Sequence, residues 1–211
     1  MESIRQNQLP ELFRGVSDIF AEKMDELCAM DAAMGDGDLG ITMKKGFGAL
    51  PQLITECQEE NNIGKTLMKA GMKMASIVPS TMGTLMSSGI IEGGKAVGGV
   101  NAMGPKELCA FLTGFAAGIQ KRGKCNAGDR TVYDSVSEAA KKATQAYNEN
   151  KSLKEIMEAA VFGAEEGVEA TKNMLPRYGK AAVFANKAKG VADQGAVAGK
   201  YFMEGLFRFF G

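Results

Sequence analysis

The stretch Pro10-Glu-Leu-Phe-Arg-Gly-Val-Ser-Asp-Ile-Phe-Ala-Glu-Lys-Met-Asp-Glu-Leu27 decides the fold class. Leu12, Phe13, Val16, Ile19, Phe20, Met24 and Leu27 recur every three or four residues, the period of one face of a helix. Pro10 stands near the start, where a first turn accepts proline. The same period predicts a helix that carries Ile41, Met43 and Phe47 towards Pro51, with a further turn or two to Cys57. Further helices are expected over 64–77 and 84–97, and from Pro105 with Leu108, Phe111, Leu112, Phe115 and Ile119 on one face. Stretches 129–147, 153–175 and roughly 193–209 complete the set. No segment alternates as a strand would, and β-branched residues are sparse. The expected class is all-α: one domain over 1–211, a barrel or bundle of about eight antiparallel amphipathic helices.

Composition agrees with that class and narrows the chemistry. Apolar residues at 45% and charged residues at 24% suit a globular chain long enough to bury a substantial core. Lys plus Arg equals Asp plus Glu at 25 each, so no basic face is implied and nucleic acid is not an expected partner. No apolar run reaches the ~18 residues that cross a bilayer, and the first residues lack a signal-peptide core, so a cytoplasmic protein is expected. Cys28, Cys57, Cys109 and Cys125 form no C-x-x-C pair and read as buried thiols in a reducing compartment. Histidine is absent, which excludes a His-based triad, a His-ligated zinc and a phosphohistidine on this chain. Glycines 71, 114, 118, 163 and 167 fall inside expected helices, each costing about 1 kcal/mol relative to Ala, and close helix–helix approach is the expected reason.

Outward from the first helix lies Asp31-Ala-Ala-Met-Gly-Asp36-Gly-Asp38-Leu-Gly40. Carboxylates this close repel one another, and a divalent cation lets all three stay ionised. Hard cations such as Mg²⁺ are held by one or two carboxylates plus a substrate phosphate, and intervening glycines let backbone N–H groups approach phosphate oxygens. Asp and Gly are also ordinary turn residues, so a ligand-free helix cap stays open on spacing alone. An EF-hand does not fit: the twelfth position is Phe47 counted from Asp36 and Thr42 counted from Asp31, where that loop needs Glu.

Three other small or polar segments precede helices: 78–84, 122–131, and 176–181 running on to 190–195. In an up-and-down bundle every second loop lies at the same end, and helix N-termini favour phosphate. Four such loops, one holding three carboxylates, point to a nucleotide.

These residues carry a resemblance. The chain resembles the nucleotide-binding L subunit, the Dak2-type domain, of dihydroxyacetone kinases. The matching motifs are Asp31-x₄-Asp36-Gly-Asp38-x-Gly40-x-x-Met43, Gly128-Asp-Arg-Thr-x-x-Asp134, and Leu175-Pro-x-x-Gly179-Lys-Ala181 through Gly190-x-x-Asp193-x-Gly195-Ala196. The resemblance implies a barrel of about eight helices with ADP or ATP on loops at one end. It implies that Asp31, Asp36 and Asp38 hold two Mg²⁺ ions bridging the phosphates, and that Leu39, Gly40, Ile41 and Thr42 approach the phosphates through the next helix's first turn. Thr81 and Met82, with a hydroxyl from Ser80, Thr81 or Thr84, match the family's small-residue phosphate loop. Gly123, Val132, Lys180, Asp193, Gln194 and Gly195 match its adenine- and ribose-side contacts.

The chain departs from the family at several of these positions. Leu39 and Val191 stand where His is common, Lys180 replaces an Arg, Gln194 replaces a Pro, and the usual Gly-Gly-Ala-Ser-Gly-Pro loop reads Pro79-Ser-Thr-Met-Gly-Thr84. No general base is evident, and phosphoryl transfer asks mainly for alignment and charge neutralisation. In the family the ketose sits on a separate K-type subunit or domain. The expected function is therefore the donor half of a dihydroxyacetone (glycerone)-type kinase, acting with a K-type partner. Its nucleotide is either exchanged or recharged by a phosphoenolpyruvate-dependent phosphocarrier, and a homodimer is compatible with this reading. Two rivals stand beside it: a fatty-acid-kinase-like nucleotide domain, and a non-enzymatic ADP-bound regulatory subunit.

Overall fold

The computed structural model describes residues 1–178, 182 and 188–211. Among them are nine α-helices, here α1 (Leu9–Glu22), α2 (Met24–Ala32), α3 (Leu39–Glu56), α4 (Ile63–Ile77), α5 (Thr81–Val97), α6 (Pro105–Gly123), α7 (Val132–Asn148), α8 (Leu153–Thr171) and α9 (Gln194–Phe207). Eight of them close a ring. α1 packs on α3, then α3 on α4, α4 on α5, α5 on α6, α6 on α7, α7 on α8, α8 on α9, and α9 returns to α1. The short α2 leans on α3 outside this ring. The expected all-α barrel is therefore present, with one helix more than the apolar period implies.

Phenylalanines from four of the ring helices fill the middle. Phe202 of α9 stacks on Phe115 of α6 with centroids 4.2 Å apart, and also meets Phe13 of α1 and Phe47 of α3. Phe47 stacks in turn on Phe20 at 4.8 Å. All five rings are buried, so they carry most of the aromatic contribution to the core. The helical glycines mark where neighbouring backbones approach. A Cβ at Gly118 would stand 2.4 Å from the Ser88 carbonyl oxygen, and one at Gly167 would stand 2.5 Å from that of Asp134. These contacts join α5 to α6 and α7 to α8, and neither could form around a larger side chain.

Several boundaries differ from the sequence expectation, α7 among them, which starts at Val132 rather than at 129. The first helix breaks at Lys23 (φ −99°, ψ 9°) into α1 and α2, although Met24 and Leu27 continue the apolar period. The bend places the Met24 carbonyl against the N-terminal turn of α3, where a Cβ at Gly40 would approach it to 1.9 Å. α3 keeps its expected reach to Cys57 and passes through Pro51 in one piece, because Leu50, Leu53 and Ile54 on the core face continue its burial. α5 begins at Thr81 rather than at 84, since the Ser80 side chain accepts the Gly83 N–H as an N-cap. α8 ends at Thr171, short of 175.

One two-residue bridge, Ile4–Arg5 antiparallel to Ala102–Met103, buries Ile4 and Met103, and it is too short to leave an alternation in the sequence. Cys57, Cys109 and Cys125 are buried free thiols and Cys28 is half-buried. Burial pushes the Cys109 thiol up to about 11. Among the described residues no helix is long and apolar enough to cross a membrane.

Candidate functional site

The ring's up-and-down path gathers the N-termini of α3, α5, α7 and α9 at one end, around a cleft of roughly 340 Å³. Each helix contributes to the lining: Asp38 and Leu39 from α3, Ser80 to Met82 from α5, Thr131 and Val132 from α7, Asp193 to Gly195 from α9. Four first turns with backbone N–H groups lacking helical partners converge there, an arrangement suited to an anion.

The acidic loop closes one side. Asp31 is buried at the end of α2, and its Oδ2 accepts N–H bonds from Gly37, Asp38 and Leu39 at 2.9, 3.1 and 3.4 Å. These three bonds shape the loop, which turns at Gly37 with φ +77°, a value glycine adopts at little cost. The other oxygen, Oδ1, receives the Gln194 Nε2–H at 3.4 Å. Asp38 is the N-cap of α3 but makes no side-chain capping bond. The helix-cap account of this turn therefore does not apply to its carboxylate. One oxygen from each of Asp31, Asp36 and Asp38 lies within 4.8 Å of the others, a donor set that suits a hard divalent cation.

The hydroxyls of the 79–84 segment divide by role. Ser80 Oγ caps α5, and Thr84 Oγ1 donates to the Ser80 carbonyl at 2.7 Å. Thr81 therefore supplies the hydroxyl of this segment that lines the cleft outside those bonds.

The Gly128-Asp-Arg-Thr-x-x-Asp134 segment folds on its own carboxylates. Asp134 accepts the N–H groups of Gly128 and Thr131 at 2.6 and 2.7 Å, and Asp129 accepts that of Asn126 at 2.7 Å. Arg177 pairs with Asp129 at 3.2 Å, and the Tyr178 hydroxyl donates to the Lys124 carbonyl at 2.9 Å. The turn directs Arg130 (φ +60°) inwards, where its side chain has 0% exposure. Arg130 Nη2 donates to the carbonyls of Val191 and Ala188 at 3.0 and 3.4 Å, and Nη1 stands 3.6 Å from Asp193 Oδ1. Asp193 in turn caps α9 through the Ala196 N–H, while its own N–H donates to Thr171 Oγ1, both at 2.9 Å. Burial raises the Asp193 carboxyl from 3.8 to about 6, with the Ala196 N–H and Arg130 acting in the opposite direction. The Arg130–Asp193 pair thus joins the first turn of α7 to that of α9 across the floor of the cleft.

Of the residues expected at the site, the structure brings together Asp31, Asp36, Asp38, Leu39, Ser80, Thr81, Met82, Val132, Asp193, Gln194 and Gly195 on one cleft. Gly40, Ile41 and Thr42 lie in the first turn of α3 behind that lining: Gly40 and Thr42 are buried and Ile41 is exposed. Gly123 stands behind Leu85, to whose Cδ2 a Cβ there would come within 3.2 Å. Lys180 lies outside the described residues. The sequence reading missed Arg130 and Tyr178 as lining residues. Both fall in segments the sequence singled out, the Gly-Asp-Arg-Thr motif and the 176–181 loop, but nothing local marks either side chain as lining the cleft.

The chain is similar to known proteins. The DAK2 domain family matches residues 33–208. The chain is 27% identical over 204 residues to the ADP-binding subunit DhaL of the PEP-dependent dihydroxyacetone kinase of Escherichia coli K12, covering 97% of each. It is 28% identical to the L-erythrulose kinase of Pectobacterium atrosepticum, over 86% of this chain but only 31% of that one. The crystal structure of the dihydroxyacetone kinase from C. freundii in complex with AMP-PNP and Mg2+ shares the fold, with a TM-score of 0.70 at 24% identity. That likeness covers 99% of this chain and 34% of the other, so this chain spans about a third of its length. The chain belongs to the DAK2 domain family.

Proposed function

We propose that this chain is a single DhaL-type domain over 1–211 and the nucleotide-binding, phosphoryl-donor subunit of a dihydroxyacetone-type kinase. The observation that carries the reading is the convergence of four helix N-termini on a cleft walled by Asp31, Asp36 and Asp38. The donor set fits Mg²⁺, two ions in this reading. When bound, Mg²⁺ neutralises phosphate charge and draws electrons towards the bridging oxygen that leaves. The chain's own residues do the rest. Asp31 uses Oδ2 to hold the acidic loop in shape and leaves Oδ1 to the cation side. The first turns of α3 and α5 present N–H groups to the phosphates. Arg130 and Asp193 hold the α7 and α9 ends together, and Val132 and Gly195 lie on the base and ribose side.

The resemblance to a family in which the ketose sits on a separate K-type subunit or domain supports an acceptor held elsewhere. In this reading a K-type subunit presents the small ketose. The E. coli relative is the ADP-binding subunit of a PEP-dependent kinase and is covered almost end to end. That correspondence favours ADP recharged in place by a phosphocarrier over exchange for free ATP.

The test is reconstitution. Purified chain, a K-type partner and dihydroxyacetone are expected to form the sugar phosphate with either ATP or a phosphoenolpyruvate-driven carrier. Omission of the chain is expected to abolish the product. Turnover of dihydroxyacetone, erythrulose and glyceraldehyde that is indifferent to the chain would refute the donor role.

A further inference from the structure

Helix α2 leads into the acidic loop, yet it buries little of its own surface. Of its nine residues only Leu27 and Asp31 are buried, and it lies outside the ring formed by the other helices. Two side chains of α9 reach across to it. Gln194, the first residue of α9, donates Nε2–H to Asp31 Oδ1 at 3.4 Å in the last turn of α2. Tyr201, about two turns further along α9, is buried and donates its hydroxyl to Glu26 Oε1 at 2.5 Å in the first turn of α2. The other Glu26 oxygen pairs at 2.9 Å with Lys23, the residue at which α1 gives way to α2. Lys23 also lies over the Tyr201 ring, 5.4 Å from its centroid. Burial, and after it the Glu26 carboxylate, push the Tyr201 hydroxyl well above its ordinary value, so it stays a donor at neutral pH.

We infer that Tyr201 is a positioning residue for the cation site: through Glu26 it pins α2 to α9 and so sets the direction in which Asp31 meets Asp36 and Asp38. The inference rests on the cation reading above. Asp36 and Asp38 lead directly into α3, whereas Asp31 stands on α2. Backbone N–H groups of the loop hold Asp31 Oδ2 from one side. The direction of Oδ1, the oxygen left over, depends on where α2 sits against α9. A hydrogen bond to a charged acceptor is among the stronger single contacts that can fix that placement, and Mg²⁺ tolerates little departure from its ligand geometry.

Mn²⁺ is titrated into the full chain with saturating ADP, and free Mn²⁺ is read by electron paramagnetic resonance, with Asp36→Ala as the reference. Tyr201→Phe keeps the ring and leaves Glu26 paired with Lys23. It is expected to bind Mn²⁺ about tenfold more weakly than wild type, the lower end for groups that orient metal ligands. Glu26→Ala should lose as much, and the double variant no more than either single one. Glu26→Gln keeps an acceptor oxygen and should stay within about twofold of wild type. Arg208→Met removes a two-bond tie from the residue just past α9 to Glu22 of α1, and should leave Mn²⁺ binding unchanged. Wild-type affinity in Tyr201→Phe alongside loss in Asp36→Ala overturns the positioning role alone. Additive loss in the double variant, a loss in Glu26→Gln equal to that in Glu26→Ala, or an equal loss in Arg208→Met overturns it too. Wild-type affinity in every variant, Asp36→Ala included, overturns the cation reading itself.

Discussion

Asp36→Ala and Asp38→Ala are each expected to weaken Mg²⁺-dependent ADP binding by more than about 100-fold, beyond the 10–100-fold typical of outer-shell partners. Asp31 spends one oxygen on the loop backbone, so Asp36 and Asp38 supply most of the negative charge that remains for a cation. Each alanine leaves the loop's N–H bonds to Asp31 in place, and the fold should survive. Isothermal titration with and without Mg²⁺ reads the effect, and thermal denaturation checks the fold. ADP binding that is Mg²⁺-dependent and unchanged in both variants would remove the acidic loop from the site.

Arg130→Met is expected to destabilise the chain by about 3–5 kcal/mol at pH 8, the usual cost of removing one partner from a buried ion pair. For a domain of this size that lowers the melting midpoint by roughly 10 °C. The variant loses the Nη1 contact to Asp193 and the bonds to the Ala188 and Val191 carbonyls. It leaves the Asp193 carboxylate buried without its cation.

The sign with pH follows from Asp193. Its folded value of about 6 lies above the ordinary 3.8. The stabilisation linked to this proton is therefore complete below about pH 4 and is lost as pH rises through 6. Removing Arg130 raises the carboxyl further. The gap between variant and wild type should then be small at pH 5, where Asp193 keeps its proton in both, and full at pH 8. Urea denaturation at the two pH values measures it. Equal stability at pH 8 would show that the pair does not join α7 to α9.

The parts of this site that were readable in sequence are those whose partners are near in sequence. Asp31, Asp36 and Asp38 announce themselves because three like charges and two glycines crowd one turn. The start of α5 was expected at 84, three residues after its observed start at Thr81. In the structure a Cβ at Gly83 would stand 2.2 Å from the Val78 carbonyl oxygen, so this glycine serves a tight turn rather than a stop. The break at Lys23 left no mark because the apolar period runs straight through it.

Long-range contacts were not readable. Arg130 in a Gly-Asp-Arg-Thr turn has the local character of a solvated side chain, and its partners Ala188, Val191 and Asp193 lie far along the chain, just before α9. Gln194 meets Asp31 across 163 positions, and no local pattern in either segment anticipates that hydrogen bond. The barrel was legible because helical period is local, and the four converging N-termini follow from the ring once every second loop is placed at one end.

The most direct measurement is a crystal of the chain grown with ADP and Mn²⁺, with anomalous scattering recorded for manganese. The account predicts two manganese peaks within bonding distance of Asp31, Asp36 and Asp38 oxygens, each also touching a phosphate oxygen of ADP seated against the first turns of α3 and α5. ADP bound with no manganese on these three carboxylates, or manganese held only elsewhere on the surface, would contradict it.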